Sequence, residues 1–176
     1  MPLRRSRGRV HRTEMELDNR SILVVQIVLS LVAWSSIAAV LVWPQIARLE
    51  QRRALRWVIA PQMLRHIGMS LLGAGVTGPG VPADFASWVA TGDLIAMLAA
   101  TGAFWALGQP GRAGLVLAAL ATLIGAADLL HNLRMGLVVR AADHLGAAWP
   151  VVAIVVPMML VAHVLAAVLL ARAVRR

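Results

Sequence analysis

Five apolar stretches, each long enough to cross the hydrocarbon core of a bilayer as an α-helix, constrain this chain more than any other feature. A spanning helix needs about 20 predominantly apolar residues. The sequence therefore predicts an all-α membrane protein, with five transmembrane helices in one bundle and short connections between them. The stretches lie at about 21–43, 55–76, 85–107, 113–133 and 149–171.

Two of the connections between these stretches have the composition of turns. Thr77–Pro82 and Gln109–Arg112 both combine proline with glycine. Proline lacks the backbone N–H and glycine favours turns, so both segments are expected to be tight connections. Residues 1–20 are polar and rich in arginine, and we expect a disordered tail there. Met15 is an alternative start of translation, which would remove most of that tail.

The composition excludes several kinds of chemistry. The absence of cysteine excludes disulfides and thiolate metal sites. All 17 basic residues are arginine, so no lysine is present to form a Schiff base. The formal charge of +9 lies near the predicted helix ends and in the tail, where arginine sets topology and contacts anionic headgroups. We predict the lipid bilayer as a partner and no nucleic acid, because no stacking aromatic residues accompany the arginines.

The distribution of arginine predicts an orientation in the membrane. With translation from Met15, the side that holds the C-terminus carries eight arginines and the opposite side carries three. The positive-inside rule then places the C-terminus in the cytoplasm, and we expect a bacterial inner membrane. The eight are Arg48, Arg52, Arg53, Arg56, Arg112, Arg172, Arg175 and Arg176, and the three are Arg20, Arg134 and Arg140.

Polar residues of the five predicted helices concentrate in the half of the membrane nearer the N-terminal tail. At ~1.5 Å per helical residue, Asp93 and Asp128 lie in one layer, ~8–12 Å deep. A carboxylate in hydrocarbon costs ~2.5 kcal/mol or more, so such a residue is expected to face other helices or a cavity. Arg65 is the expected counter-ion for one of the acids. The other candidate site residues are Gln26, His66, His131, Asn132 and His163.

Small residues share the helix faces that carry the two acids. Asp128 follows Gly114, Ala118, Ala121 and Gly125 along one stripe of the fourth predicted helix. Small residues at this spacing let membrane helices approach each other closely. The pattern predicts that the acids face neighbouring helices and not lipid.

Several short motifs resemble those of a family of uncharacterised bacterial integral membrane proteins with five helices. The resemblance covers roughly residues 56–170 and implies no activity, ligand or cofactor. It rests on Leu64–Gly68, on Pro79 with Pro82–Ala86, on Gly92–Leu94, on Ala127–Leu130, and on Pro157 and His163.

Four interpretations of the polar residues stay open. The first is a buried ion-pair network that fixes helix packing in an accessory or scaffold protein. The second is a solvated cavity that handles a small solute, ion or proton, with Asp93 and Asp128 titrating and Arg65 as counter-charge.

The third interpretation is a metal or haem site, and the fourth is a membrane enzyme. Asp93, Asp128 and His131 are ligands of the kind that a hard or borderline metal accepts. His66 and His163 lie at similar depth, as axial haem ligands do. Paired acids beside a histidine also suit acid–base catalysis, but no serine-nucleophile motif or phosphate loop accompanies them. We favour the second interpretation, without enzymatic activity or cofactor, and keep the scaffold as the alternative.

Overall fold

A computed structural model describes residues 18–174, and the side chains of residues 18–172. The secondary structure in this part of the chain is entirely helical, as predicted. Most of the predicted tail, residues 1–17, lies outside the described residues. The five main helices are α1 (Asn19–Ile46), α2 (residues 51–72), α3 (Ala83–Ala106), α4 (Ala113–Val138) and α5 (residues 151–174).

Four helical segments of the described chain are long and apolar enough to cross a membrane: Asn19–Ile46, Ala83–Ala106, Ala113–Val138 and Gly146–Arg172. α2 does not meet that criterion, although the sequence predicts a span there. The reason is composition: the first two turns of α2 contain Arg52, Arg53 and Arg56, and Arg65 lies further along the helix.

Large apolar side chains cover the outside of the molecule. On α1 alone, Val25 is 54% exposed, Leu29 62% and Val32 60%. Contiguous apolar surface of this kind is rare on soluble monomers, whereas lipid tails solvate it without cost. The fold is therefore that of a membrane-embedded helical protein. We call the membrane side where α1 begins the tail side and the opposite side the arginine side.

Few residues of α1 are buried, and α5 is its principal neighbour. The indole Nε1 of Trp34 donates to the carbonyl of Ile154 at 3.2 Å. Asp18 caps the helix and accepts from the backbone N–H of Ser21 at 2.8 Å. Hydrogen bonds from Ser21 hold the pKa of Asp18 below its ordinary value. The first turn of α1 thus has its own side-chain cap.

α2 changes its winding at Pro61. It is α-helical over Gln51–Ile59 and a 3₁₀-helix over Ala60–Leu72. Proline has no N–H for the α-helical ladder and its ring clashes with the carbonyl four residues earlier, so the α-helix ends here. The helix stops at Leu72, four residues before the predicted end of the span, and Gly73 is extended.

α3 packs against α4, whose predicted stripe of small residues is buried. Ala96, Ala100 and Ala103 are buried on α3, as are Gly114, Ala118, Ala121 and Gly125 on α4. A Cβ added at Gly114 would lie only 2.6 Å from the carbonyl oxygen of Ala106. The absence of a side chain therefore lets the two helices touch at the arginine side.

Two loops close the tail side of the bundle. The backbone N–H of Gly78 donates to the carbonyl of His144 at 2.7 Å, and that of Ala147 donates to Val76 at 2.8 Å. Arg140 adopts a left-handed conformation with φ of 53°, which turns the chain out of α4. The loop between α2 and α3 is thus bonded to the loop between α4 and α5.

Candidate functional site

The 3₁₀ winding of α2 places its buried polar residues on one line. A 3₁₀-helix has three residues per turn, so side chains at every third position lie above one another. The buried residues of this segment are Gln62, Arg65, Gly68 and Leu71, which follow that interval. In an α-helix each step of three would rotate by ~60° away from the previous one. The winding therefore aims Gln62, Arg65 and Gly68 together into the bundle.

Arg65 is the centre of the site. Its side chain is 2% exposed, although arginine is almost never buried unless it is paired. The Nε atom donates to Oδ1 of Asp93 at 2.8 Å, and Nη1 donates to the carbonyl of Gly125 at 2.8 Å. The Nη2 atom contacts both Oδ1 of Asp93 and Oδ2 of Asp128. One guanidinium therefore joins α2, α3 and α4, and we call Arg65, Asp93 and Asp128 the Arg65 triad.

Asn132 extends the Arg65 triad by one residue. It lies four positions after Asp128, hence on the same face of α4. Its Nδ2 donates to Oδ2 of Asp128 at 3.0 Å. The second oxygen of each acid, Oδ2 of Asp93 and Oδ1 of Asp128, accepts no hydrogen bond from residues 18–172.

Glycines of neighbouring helices make room for these second oxygens. A Cβ added at Gly68 of α2 would overlap Oδ2 of Asp93, and one at Gly92 of α3 would overlap Oδ1 of Asp128. Gly125 of α4 lies in the same way against the ring of His163 and near Arg65. Each polar group thus fits against the bare backbone of the next helix.

His163 connects α5 to the line of residues on α2. Its Nδ1 lies 2.8 Å from the carbonyl of Met159 and 3.0 Å from Nε2 of Gln62, which itself donates to Met159 at 3.2 Å. Which of these contacts Nδ1 makes as a donor depends on the tautomer of the ring. The other ring nitrogen, Nε2, faces Gly125.

Three other candidate residues lie away from the Arg65 triad. His66 is exposed, since the 3₁₀ winding turns it off the buried line, and its Nδ1 lies 3.2 Å from the carbonyl of Met63. His131 is exposed and packs on Trp88 with ring centroids 5.7 Å apart. Gln26 accepts from the indole of Trp149. The predicted grouping of these three with the acids is therefore not what the structure has.

The described chain brings together no metal-ligand set. Among residues 18–172, no group of three or more histidine, aspartate or glutamate side chains converges. His131 does not join Asp93 and Asp128, and exposed His66 does not face buried His163.

Two cavities reach the Arg65 triad, one at each acid. A groove of about 580 Å³ runs along α3 and α4, and both Gly92 and Asp128 line it. A second cavity of about 320 Å³ is lined by residues of all five main helices, including Gly68 of α2 and Asp93 of α3. The acids retain 14% and 11% exposure, for Asp93 and Asp128 respectively, while Arg65 between them is sealed.

The fold and the site define a membrane-embedded, all-α protein with a buried Arg–Asp–Asp–His arrangement at its centre. The chain belongs to the family described as Domain of unknown function (DUF8737), whose model matches residues 22–171. That range contains all five helices almost in full and every residue of the Arg65 triad. Searches of curated proteins and of solved structures found no match to the chain.

Proposed function

We propose that this protein binds and passes a proton or a small cation at Asp93 and Asp128, with Arg65 as their counter-charge. The observation that carries the proposal is that one buried guanidinium faces two carboxylates, each of which opens to its own cavity. The proposal requires neither a cofactor nor enzymatic activity.

The charge balance of the Arg65 triad supports a cationic ligand. Two ionised carboxylates and one guanidinium leave one negative charge in a region of low dielectric, where an unbalanced charge is costly. A bound proton or cation removes that charge. The two oxygens without protein donors, Oδ2 of Asp93 and Oδ1 of Asp128, are the atoms that it would meet.

Polar side chains of α3 line one face of the groove at Asp128, beginning at its tail-side end. Asp84, Ser87 and Thr91 lie at successive turns of one face of α3, and all three line this groove. Carboxylate and hydroxyl oxygens suit a hydrated cation or a proton carried by water. The groove therefore supports entry from the surface at Asp84 towards Asp128.

The test is transport by the purified protein in liposomes that contain a pH-sensitive dye or a sodium indicator. We expect the wild type to dissipate an imposed proton or sodium gradient, and Asp93→Asn and Asp128→Asn to lose that activity. Asp143→Asn is the matched control, because Asp143 pairs with Arg140 outside the five main helices. Wild-type liposomes as tight as empty ones to both ions would overturn the proposal.

A second candidate is an accessory or scaffold protein, in which the Arg65 triad only fixes helix packing. The close fit of Gly68 and Gly92 against the carboxylates favours it, because such contacts serve register as well as binding. This function predicts that Asp93→Asn and Asp128→Asn change the thermal stability and leave the liposomes ion-tight throughout.

We also propose that α2 crosses the membrane as a fifth span, in a bacterial inner membrane and with the C-terminus in the cytoplasm. Its 9 α-helical residues extend over ~13 Å and its 13 3₁₀ residues over ~26 Å. The combined length of the two segments exceeds the ~30 Å hydrocarbon core. Its internal charge, Arg65, is neutralised inside the bundle.

The absence of native cysteine allows a direct test of this topology. Ala47→Cys and Ala74→Cys flank α2 at exposed positions. A membrane-impermeant thiol reagent applied to intact cells should label Ala74→Cys and not Ala47→Cys. Equal labelling of both would contradict the fifth span, and the reverse pattern would contradict the orientation alone.

A further inference from the structure

We propose that the 320 Å³ cavity at Asp93 is a binding site for a cationic amphiphile, with an ammonium group at Asp93 and an apolar chain directed towards the tail side. The inference rests on the proposed function and names the class of solute for this acid. It depends on the shape of the cavity, on the composition of its wall and on the one charge at its inner end.

The cavity is a slot that runs along α3 and α4 in the tail-side half of the bundle. Phe85, Val89 and Asp93 lie four residues apart on α3 and line it in that order. The eight residues from Phe85 to Asp93 span ~12 Å at 1.5 Å per residue. The slot is therefore elongated, with its inner end at the Arg65 triad.

The wall of the slot is apolar on every side. α1 contributes Leu23, Val24, Ile27 and Val28, and α4 contributes Leu129, Leu133 and Leu137. An apolar wall with a few convergent polar groups is the usual composition of a small-molecule site. A hydrocarbon chain is the occupant that such a wall accommodates.

Three residues that line the slot carry polar side chains. Asp93 and Asn132 lie at the inner end, and Arg20 lies at the tail-side end, where it is exposed. Behind Asp93 stand Arg65 and, on the far side of Arg65, Asp128. Arg65 donates to Oδ1 of Asp93 and leaves Oδ2 beside Gly68, which also lines the slot.

The charge at the inner end selects a cation. The groups there sum to one unbalanced carboxylate when both acids are ionised, and an ammonium group would pair with it at the inner end of an apolar cavity. Arg20 at the outer end is exposed, so solvent and salt screen its charge. An anionic amphiphile would place its head at Arg20 instead, and this is the competing outcome.

Three ligands of equal chain length separate the outcomes: decylamine, decanol and decanoate. Their binding is measured with radiolabelled ligand on the full-length protein in nanodiscs, with empty nanodiscs subtracted. We expect saturable binding of decylamine, at least about tenfold tighter than decanol, and no saturable binding of decanoate. Tighter binding of decanoate than of decylamine would overturn the proposal in favour of an anion site at Arg20.

Two variants test the residues. Asp93→Asn should weaken the binding of decylamine until its affinity equals that of decanol. Gly136→Leu places a large side chain in the slot and should weaken the binding of both decylamine and decanol. Gly102→Leu is the control for adding a leucine to a helix, because a Cβ at Gly102 meets nothing within 4 Å and Gly102 does not line the slot. Decylamine binding that survives both Asp93→Asn and Gly136→Leu would refute the site.

The experiment distinguishes this inference from the proposed function. Saturable decylamine binding to a protein that leaves liposomes ion-tight would keep the site and refute transport. Proton or sodium transport without decylamine binding would keep the proposed function and refute the amphiphile site.

Discussion

Gly92 lies so close to Asp128 that a Cβ on this glycine would overlap the carboxylate oxygen Oδ1. The contact joins α3 to α4 at the layer of the Arg65 triad, and Gly68 makes the equivalent contact between α2 and Asp93. The carboxylates are therefore held from two directions, by Arg65 through hydrogen bonds and by glycine backbone through packing. This arrangement fixes the separation of three helices at their charged centre.

Gly92→Ala should destabilise the protein by about 1–3 kcal/mol, the usual cost of overpacking a tight core. The intrinsic preference of a helix for alanine over glycine, about 1 kcal/mol, acts in the opposite direction. Gly102→Ala is the control, since the same substitution there meets open space. Thermal unfolding in detergent should show a lower midpoint for Gly92→Ala and an equal or higher one for Gly102→Ala. Equal midpoints for both variants would mean that the contact at Asp128 is not tight.

Arg65→Met should cost about 3–5 kcal/mol, because it leaves two largely buried carboxylates without a counter-charge. Arg65→Lys should recover little of this, since an ammonium group has no planar fork to reach Asp93, Asp128 and Gly125 together. The measurement is thermal or denaturant unfolding of each variant in the same detergent.

Removing the acids as well provides the control for Arg65. In an Arg65→Met, Asp93→Asn, Asp128→Asn protein no buried charge remains, so much of the lost stability should return. If the triple variant is no more stable than Arg65→Met, the cost lies in lost packing of the long arginine side chain and not in unpaired charge.

The location of the two acids and their partner was predictable from sequence, whereas the winding of α2 was not. Depth arithmetic placed Asp93 and Asp128 in one layer, because helical rise is nearly constant whatever the tertiary contacts. The direction in which a side chain points depends on the number of residues per turn. A single proline at position 61 does not predict a 3₁₀-helix of 13 residues. An α-helical reading therefore put His66 near the cluster, although the actual winding turns it outward.

The glycine contacts were also outside the reach of sequence reasoning. Gly92 precedes Asp93 in the chain, yet it packs against Asp128 of the next helix, and Gly68 packs against Asp93. Nothing in the spacing of small residues says which neighbour they touch, since that depends on how the helices are rotated in the bundle. The small residues correctly predicted that the helices approach each other closely. Which residues contact each other is known only from the structure.

Acidification should loosen the first turn of α1 through Asp18. The hydrogen bonds from Ser21 favour the ionised carboxylate, so the pKa of Asp18 lies lower in the folded protein than in the unfolded chain. The cap therefore contributes fully above the unfolded value of about 3.8 and is lost as the pH falls through the lower, folded value. Amide hydrogen exchange, corrected for its intrinsic pH dependence, should show less protection of Ser21 below that range.

Asp18→Ala should abolish this pH dependence at Ser21, while Asp84→Ala should leave it unchanged. Asp84 is also acidic and lies in a first helical turn, but α3 has no side-chain cap bond. A loss of protection in Asp18→Ala that still depends on pH would show that another group controls the turn.

Pro61→Ala tests whether the 3₁₀ winding of α2 holds the Arg65 triad together. On helix propensity alone this change should stabilise a helix by about 3 kcal/mol, because alanine restores the N–H and removes the ring. Continued α-helix beyond Ile59 would, however, rotate Gln62, Arg65 and Gly68 off their common line by ~60° per step. The contacts to His163, Asp93 and Asp128 oppose that rotation, so we expect the variant to gain no thermal stability or to lose some.

Pro79→Ala, at an exposed loop position, is the control and should change the midpoint little. A clear gain in stability for Pro61→Ala, with the Arg65→Met cost unchanged in that background, would mean that the triad tolerates an α-helical α2.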